Sequence, residues 1–269
     1  MRKKIPFFGR KSINGAKVQV QVYSATDIGL RRANNEDKCV SLEGEASPGF
    51  ADAVMIVADG MGGQAHGEVA SEMAVEGIIR CLADQPKDKT LPTGGYAELL
   101  GQVFREVNAE IYLESQGDTY RGMGTTATAA VVTGTRVHIA HLGDSRAYLL
   151  RDGELSQLTR DHSWVVENVE AGNLTLEQAR VHPNRNVITQ AMGINAEPAV
   201  QTKTLDLRDG DLLLLCSDGL HGLAGDDEIK ELLQSGKPEQ AIEDLIQRAK
   251  DLGGNDNITV VIGTVRRQG

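Results

Sequence analysis

The stretch AVMIVADGMGGQAHGE, residues 53–68, decides how the rest of the chain is read. An unbroken apolar run, Ala53 to Ala58, ends directly in Asp59, with glycines at 60, 62 and 63. Such a run suits a strand covered on both faces. The carboxylate at its end is the anomaly. An Asp-Gly pair is by default a turn, because Asp bonds its own downstream backbone and Gly supplies a positive φ. The same grammar returns in LLLLCSDG (212–219), which sets Asp218 before Gly219, and GGNDNITVVIGTV (253–265) sets Asp256 at the start of a third buried run. Carboxylates at the ends of buried strands that converge on one cleft have to share a cation or hold protons. An oxygen-only ligand set selects hard cations, Mg²⁺ or Mn²⁺ with several waters, and the scattered histidines argue against zinc. In DIGLRRANNEDK (27–38), Arg32 precedes Glu36 and Asp37 by four and five residues. A guanidinium beside a multi-carboxylate metal site suits phosphate, which accepts Arg bidentately and bridges metals.

Around these segments the periodicity alternates between sheet and helix. VQVQVYS (18–24) has the period of two of a half-buried strand, while 67–84 and 96–115 carry apolar residues three and four apart, as amphipathic helices do. The loop QPKDKTLPTGG joins those helices. Residues 126–159 read as short strands, with Asp152-Gly153 as a hairpin turn. Residues 161 to about 192 turn polar and helical, with Thr175 opening a capping-box-like TLEQ, and look like a flap inserted into a β region. Strands follow at AVQTKTLDL and DLLLLCSDG, then helices at about 226–235 and 238–251, then the strand NITVVIGTV. Strands in hairpins followed by helices, twice over, predict stacked antiparallel sheets covered by helices.

The 269 residues suffice for one domain with its own core. Residues 1–17 hold Arg2, Lys3, Lys4, Arg10, Lys11 and Lys17 and no acid, leaving 22 basic against 38 acidic residues, a net −16, for the remainder. We expect 1–17 to be a disordered basic extension and 18–267 to be the functional domain. The acidic body repels nucleic acid and anionic lipid and concentrates cations. Cys39, Cys81 and Cys216, with no CxxC pair, indicate neither a disulfide framework nor a thiolate zinc site, and fit a reducing cytoplasm. No apolar run approaches a membrane span, so no stable membrane insertion is expected.

RRANNED (31–37), VADGMGG (57–63), GMGTT (122–126), HLGDSRAYLLRDG (141–153), LLCSDGL (214–220) and GGNDNITV (253–260) stand in an order that resembles the metal-dependent protein phosphatase 2C family, bacterial branch. DHSWV and HPNRNVITQAMG, within 161–193, look like that branch's flap. The resemblance covers about residues 18–265. It implies an α+β fold, two stacked antiparallel β-sheets flanked by helices on both faces, with a metal centre in a cleft at one end. It implies that Asp59 bridges two Mn²⁺ or Mg²⁺ ions, that the Gly60 carbonyl binds one, and that Asp218 and Asp256 are further ligands. Glu36 and Asp37 would act mainly through metal-bound water, and Arg32 would bind the substrate phosphate. Two such ions, about 3.5–4 Å apart, bring the pKa of a shared water near 7 for in-line attack on phosphorus, with no phosphoenzyme. The substrates implied are phosphoserine and phosphothreonine in proteins, opposite a Ser/Thr kinase, and the state implied is a monomer.

The chain departs from the pattern in places. Arg121 and Gly122 stand where many bacterial members carry an Asp for a third metal, which argues against a third ion, although Asp118 lies nearby. Met61 stands where eukaryotic members place a general-acid histidine, and Gln64 where bacterial relatives commonly have one, with His66 two residues on. Leaving-group protonation by metal-bound water is expected. Asp144 in LGDSR reads as a hairpin and sheet-end hydrogen-bonding residue in preference to a direct metal ligand, and Cys216 as core, because Gly222 replaces the arginine of a cysteine phosphatase.

Two rival readings remain open to test. GMGGQA (60–65), with Asp84 downstream, satisfies a dinucleotide-binding fingerprint, but Asp59 would repel pyrophosphate and the β meander is wrong for a parallel sheet. A non-catalytic module that reads phosphorylated partners would be expected to have lost metal carboxylates, which this chain keeps.

Overall fold

The computed structural model describes residues 18–61, 66–85 and 95–267. The N-terminal extension, Gln64 and most of the loop between the first two helices lie outside the described residues. One sheet runs β2 (Asp37–Glu43), β3 (Ala53–Met61), β5 (Ala127–Thr133), β6 (Arg136–Leu142) and β9 (Gln201–Asp206), with the two-residue β4 (Gly124–Thr125) pairing on the end of β3. The other runs β1 (Val18–Asp27), β11 (Ile258–Arg267), β10 (Leu212–Cys216), β7 (Arg146–Arg151) and β8 (Glu154–Gln157). Every pairing is antiparallel. The expected α+β sandwich is present, and among the described residues no strands pair in parallel, as a dinucleotide site of that kind requires; positions 62–65 of the GMGGQA fingerprint lie outside the described residues.

The apolar run of residues 53–58 explains the layering. Ala53, Met55 and Val57 point between the sheets, where they meet Ala130, Ile139, Leu149, Leu213, Leu215 and Val261. Val54, Ile56 and Ala58 point the other way, into α1 (Gly67–Ala83) and α2 (Gly95–Ser115). A strand with apolar neighbours on both sides cannot alternate with polar residues, hence the continuous run. Each fully buried Ile, Leu or Phe here contributes about 1.5–3 kcal/mol of transfer free energy. On the far side, Tyr148, Leu214, Cys216, Val260 and Ile262 pack against α6 (Asp226–Gln234) and α7 (Pro238–Asp251). Cys216 is core, as expected, and burial pushes its thiol up to about 12, so it holds no thiolate at neutral pH.

The Asp152-Gly153 hairpin is formed, with φ of 53° and 81° at its two central residues, the mirror-image turn that suits strand twist. Segment 161–192 carries α3 (Trp164–Glu170) and α4 (Leu176–Val181), and Thr175 makes the predicted capping box with Gln178. Both ends of this segment are tied to the sandwich beside Asp59. His162 donates its backbone N–H to the Gly143 carbonyl and accepts the Gly143 N–H on Nδ1. At the other end Met192 pairs with Thr125, whose hydroxyl donates to the Asp59 carbonyl.

Candidate active site

Strand alternation carries straight from the core into the site. After Ala53, Met55 and Val57, the next residue facing between the sheets is Asp59. In the facing sheet, Leu213 and Leu215 lead to Ser217 and then Asp218, the first residue of the short α5 (Asp218–His221), while Val261 leads back to Thr259. The apolar interior therefore ends in polar side chains from both sheets at one end of the sandwich. Asp37 lies directly across from Asp59 in the β2–β3 register. Like charges placed opposite each other destabilise a sheet unless something neutralises them.

Asp37 is buried. Its Oδ2 accepts from Thr259 Oγ1 at 2.6 Å and Ser217 Oγ at 2.8 Å, while its Oδ1 has no partner. Burial, and then the charges of Asp218 and Asp256, push its pKa up to about 7 against those two donors. Asp59 is raised well above the ordinary carboxylate range by burial and then by Asp37, Asp218, Asp144 and Asp256. Asp218 is pushed up to about 6, by burial first and Asp256 next, while a side-chain hydrogen bond with Asp59 works the other way. Two acids share such a bond only if one keeps a proton. Acids crowded in this way call for cationic charge that the oxygen set lacks by itself.

Arg32 supplies one cation. Its Nη2 donates to Asp256 Oδ2 at 2.7 Å, and its Nη1 lies 3.9 Å from Glu36 Oε2. The guanidinium remains partly open to solvent, as a group that receives a ligand must be. Asp59, Asp218 and Asp256 also keep part of their surface open, so the floor of the site is accessible.

The glycines behave differently from the turn reading. Gly60 lies in β3 and Gly219 in α5, and neither has a positive φ. What they supply is absence of a side chain. A Cβ on Gly60 would sit 2.2 Å from the Gly67 carbonyl oxygen, and one on Gly219 would sit 1.9 Å from that of Asn257. Backbone segments approach at van der Waals contact there, bringing the acids together.

Asp144 lies in the turn that ends β6, where its carbonyl accepts a hydrogen bond from His221 Nε2 at 3.0 Å. It is buried, its Oδ1 is unpartnered, and its pKa is raised well above the usual range by burial and then by Asp218 and Asp161. The structure places it in the carboxylate cluster. Asp118 is 96% exposed and paired to Arg121 at 2.6 Å, turned to solvent. His66 caps α1 in a left-handed conformation, exposed, with Nδ1 3.6 Å from Glu68 Oε1 and its ring edge-on to Tyr120. Ser217, Thr259, Thr125, Thr126 and Asn257 were not singled out from sequence. Each is a small polar residue adjoining an acid or closing a buried strand, and that adjacency was the available signal.

Hard cations fit this donor set. It is made of oxygens alone, two of them buried without a partner. Among the described residues no group of three or more His, Cys, Asp or Glu side chains is set by itself to hold a metal ion, so backbone carbonyls and waters would have to complete any shell. A spread set of carboxylates suits ions that keep several waters, as Mg²⁺ does.

Known proteins are similar to this chain in fold and sequence. The family model for protein phosphatase 2C matches residues 31–258. The serine/threonine phosphatase stp of Listeria monocytogenes serovar 1/2a is 42% identical over 242 residues, covering 88% of this chain and 92% of that protein. The solved serine/threonine phosphatase of S. agalactiae superposes with a TM-score of 0.82 at 37% identity, covering 91% of this chain and 99% of that one. The catalytic domain of the serine/threonine protein phosphatase PstP, solved in complex with 2 manganese ions, gives a TM-score of 0.76 at 36% identity, covering 93% and 99%. Carboxylates at the strand ends, an arginine beside them and this degree of likeness lead to one conclusion: the chain belongs to the protein phosphatase 2C family.

Proposed function

We propose that the protein removes phosphate from phosphoserine and phosphothreonine in proteins, residues 18–267 forming the catalytic domain and 161–192 a flap beside the site. The observation that carries this is the gathering of Asp37, Asp59, Asp144, Asp218 and Asp256, with unpartnered oxygens, next to Arg32. Asp59, Asp218, Asp256 and the Gly60 carbonyl would hold two Mn²⁺ or Mg²⁺ ions, Glu36 and Asp37 acting through water. When bound, such ions supply Lewis acidity and a water acidified toward neutrality.

The chain's own residues do the rest. Arg32 offers a planar fork for two phosphate oxygens, and its hydrogen bond to Asp256 Oδ2 supports a place beside the proposed ligands. Thr125 and Thr126 fix the Asp59 backbone, the first donating to its carbonyl and the second accepting its N–H at 3.0 Å. Ser217 and Thr259 fix Asp37. These bonds hold the charged groups in place before substrate arrives, and preorganisation of that kind lowers barriers for phosphoryl transfer. Buried Cys216, its thiol pushed up to about 12, supports a mechanism without a cysteinyl-phosphate intermediate.

Phosphoprotein substrates, including a Ser/Thr kinase and its targets, are supported by the likeness to the bacterial phosphatases. Unpaired Cys39, Cys81 and Cys216 support a cytoplasmic enzyme, proposed to be a monomer. No helix among the described residues is long and apolar enough to cross a membrane.

The deciding experiment is phosphate release from a phosphothreonine peptide with Mn²⁺, with Mg²⁺ and with chelator, for the wild type beside Asp59→Asn and Asp218→Asn. Metal-dependent turnover, lost in both variants, is expected. A folded, metal-loaded wild type that binds the peptide without turnover would instead identify a phospho-reading module.

A further inference from the structure

We propose that Asn257 is a positioning residue that keeps the Arg32 loop in register with Asp256, so that the phosphate-binding guanidinium and the metal-binding carboxylate move as one unit. The inference rests on the reading of Arg32 as the phosphate ligand. The Asn257 side chain is buried and all of its amide groups are used. Its Nδ2 donates to the Ile28 carbonyl and to the Asn34 carbonyl, each at 3.0 Å, and its Oδ1 accepts the Glu36 N–H at 2.8 Å. One side chain therefore grips the loop before, after and beyond Arg32. The amide orientation is fixed by chemistry, since two carbonyls require the NH₂ and one N–H requires the oxygen.

The same residue orients the carboxylate. Its backbone N–H donates to Asp256 Oδ1 at 2.8 Å, while Arg32 Nη2 takes Asp256 Oδ2. Asp256 is thus held between the anchor of the loop and the tip of the loop. Two close backbone contacts complete the unit. Gly29 has φ +78°, and a Cβ there would lie 2.1 Å from the Asp256 carbonyl oxygen. The Leu30 N–H donates to the Gly254 carbonyl at 2.7 Å. Loop 28–36 is seated directly on turn 253–257.

No residue of similar size reproduces this set. Aspartate keeps the acceptor and loses both donors, and leucine loses all of them. An asparagine serving only to close a loop would show its effect in stability and nowhere else. A positioning role predicts an effect transmitted through Arg32.

The test is a double-mutant cycle on the full chain loaded with Mn²⁺, reading inorganic phosphate affinity by calorimetry, with Mn²⁺ affinity measured separately. Arg32→Ala is expected to weaken phosphate binding about tenfold, Asn257→Ala by a similar factor, and the double variant to fall within about twofold of Arg32→Ala alone. Mn²⁺ affinity of Asn257→Ala should stay within about twofold of wild type. Asn257→Ser, which cannot span both carbonyls, replaces Asn257→Ala in the cycle if the alanine variant does not fold. Unchanged phosphate affinity in the Asn257 variant overturns the proposal. Losses that multiply in the double variant overturn it too, as does a parallel fall in Mn²⁺ affinity, which would mean that Asn257 acts on Asp256 alone. If Arg32→Ala itself leaves phosphate affinity unchanged, the failure lies in the assignment of Arg32, and the proposal falls with it.

Discussion

The Thr259 hydroxyl donates to Asp37 Oδ2 over 2.6 Å, a bond that crosses from one sheet to the other at the end where the acids gather. Asp37 is the first residue of β2, and Thr259 lies in β11. Thr259→Val keeps the shape and removes the donor. With Ser217 still in place, the expected cost is about 1–3 kcal/mol in chemical denaturation, from a buried acceptor that has lost a partner. An unchanged midpoint would mean that Ser217 alone satisfies Asp37.

The raised acids give the metal-free protein a definite pH response. An aspartate whose pKa is higher in the fold contributes stability that is fully present below its unfolded value, near 3.8, and lost as pH rises through the folded value, about 6 for Asp218. Histidines run the other way. His138, lowered to about 4, contributes stability present above 6.5 and lost as pH falls toward 4. The difference between wild type and Asp218→Asn cancels the histidine contribution. In chelator that variant should match wild type at pH 4 and exceed it by about 2 kcal/mol at pH 7. Saturating Mn²⁺ should remove the advantage. A difference that stays flat from pH 4 to pH 7 counts against the raised acid.

Gly219→Ala tests the close backbone approach. The added Cβ meets the Asn257 carbonyl oxygen at 1.9 Å, backbone against backbone, with no flexible side chain to yield. Since Ala otherwise favours a helix over Gly by about 1 kcal/mol, a loss of 2 kcal/mol or more identifies contact rather than propensity. Calorimetric unfolding decides it, and a stabilised variant would refute the contact.

Asp161 anchors the segment that follows it. Arg146 donates to it through Nε, at 3.0 Å to each oxygen, and through Nη2 at 2.7 Å, and both residues are largely buried. Asp161→Ala leaves the largely buried guanidinium only the Tyr148 hydroxyl at 2.8 Å and Asp226 at 4.0 Å, at an expected cost of about 3 kcal/mol. Hydrogen exchange should accelerate across 161–192 before the rest of the sandwich. Asp161→Asn, which keeps an acceptor, should cost less.

Much of this molecule was legible because burial imposes periodicity. The uninterrupted apolar runs of β3 and β10 announced strands covered on both faces, and the helices announced themselves by spacing. What escaped has a physical reason in each case. β2, DKCVSLE, is an edge strand of intermediate exposure, so no clean alternation marks it. β4 has two residues and α5 four, too short for any period. Asp144 read as a hairpin residue because LGDSR is a turn-like string; its neighbours Asp218 and Asp161 arrive from 74 and 17 positions away in the chain. The acids themselves were legible because a charge at the end of an apolar run is conspicuous. Their supports were not, because Ser217, Thr259 and Asn257 look like ordinary strand-end residues until alternation and register place them.

The two-sided burial of β3 also constrains how this family member can change over generations. Every second side chain from Ala53 onward faces the other sheet, and Asp59 closes that series. Losing or gaining a single residue between them would turn the acid toward the helices and invert each apolar neighbour. A one-residue insertion or deletion here is therefore expected to abolish the site unless a bulge absorbs it.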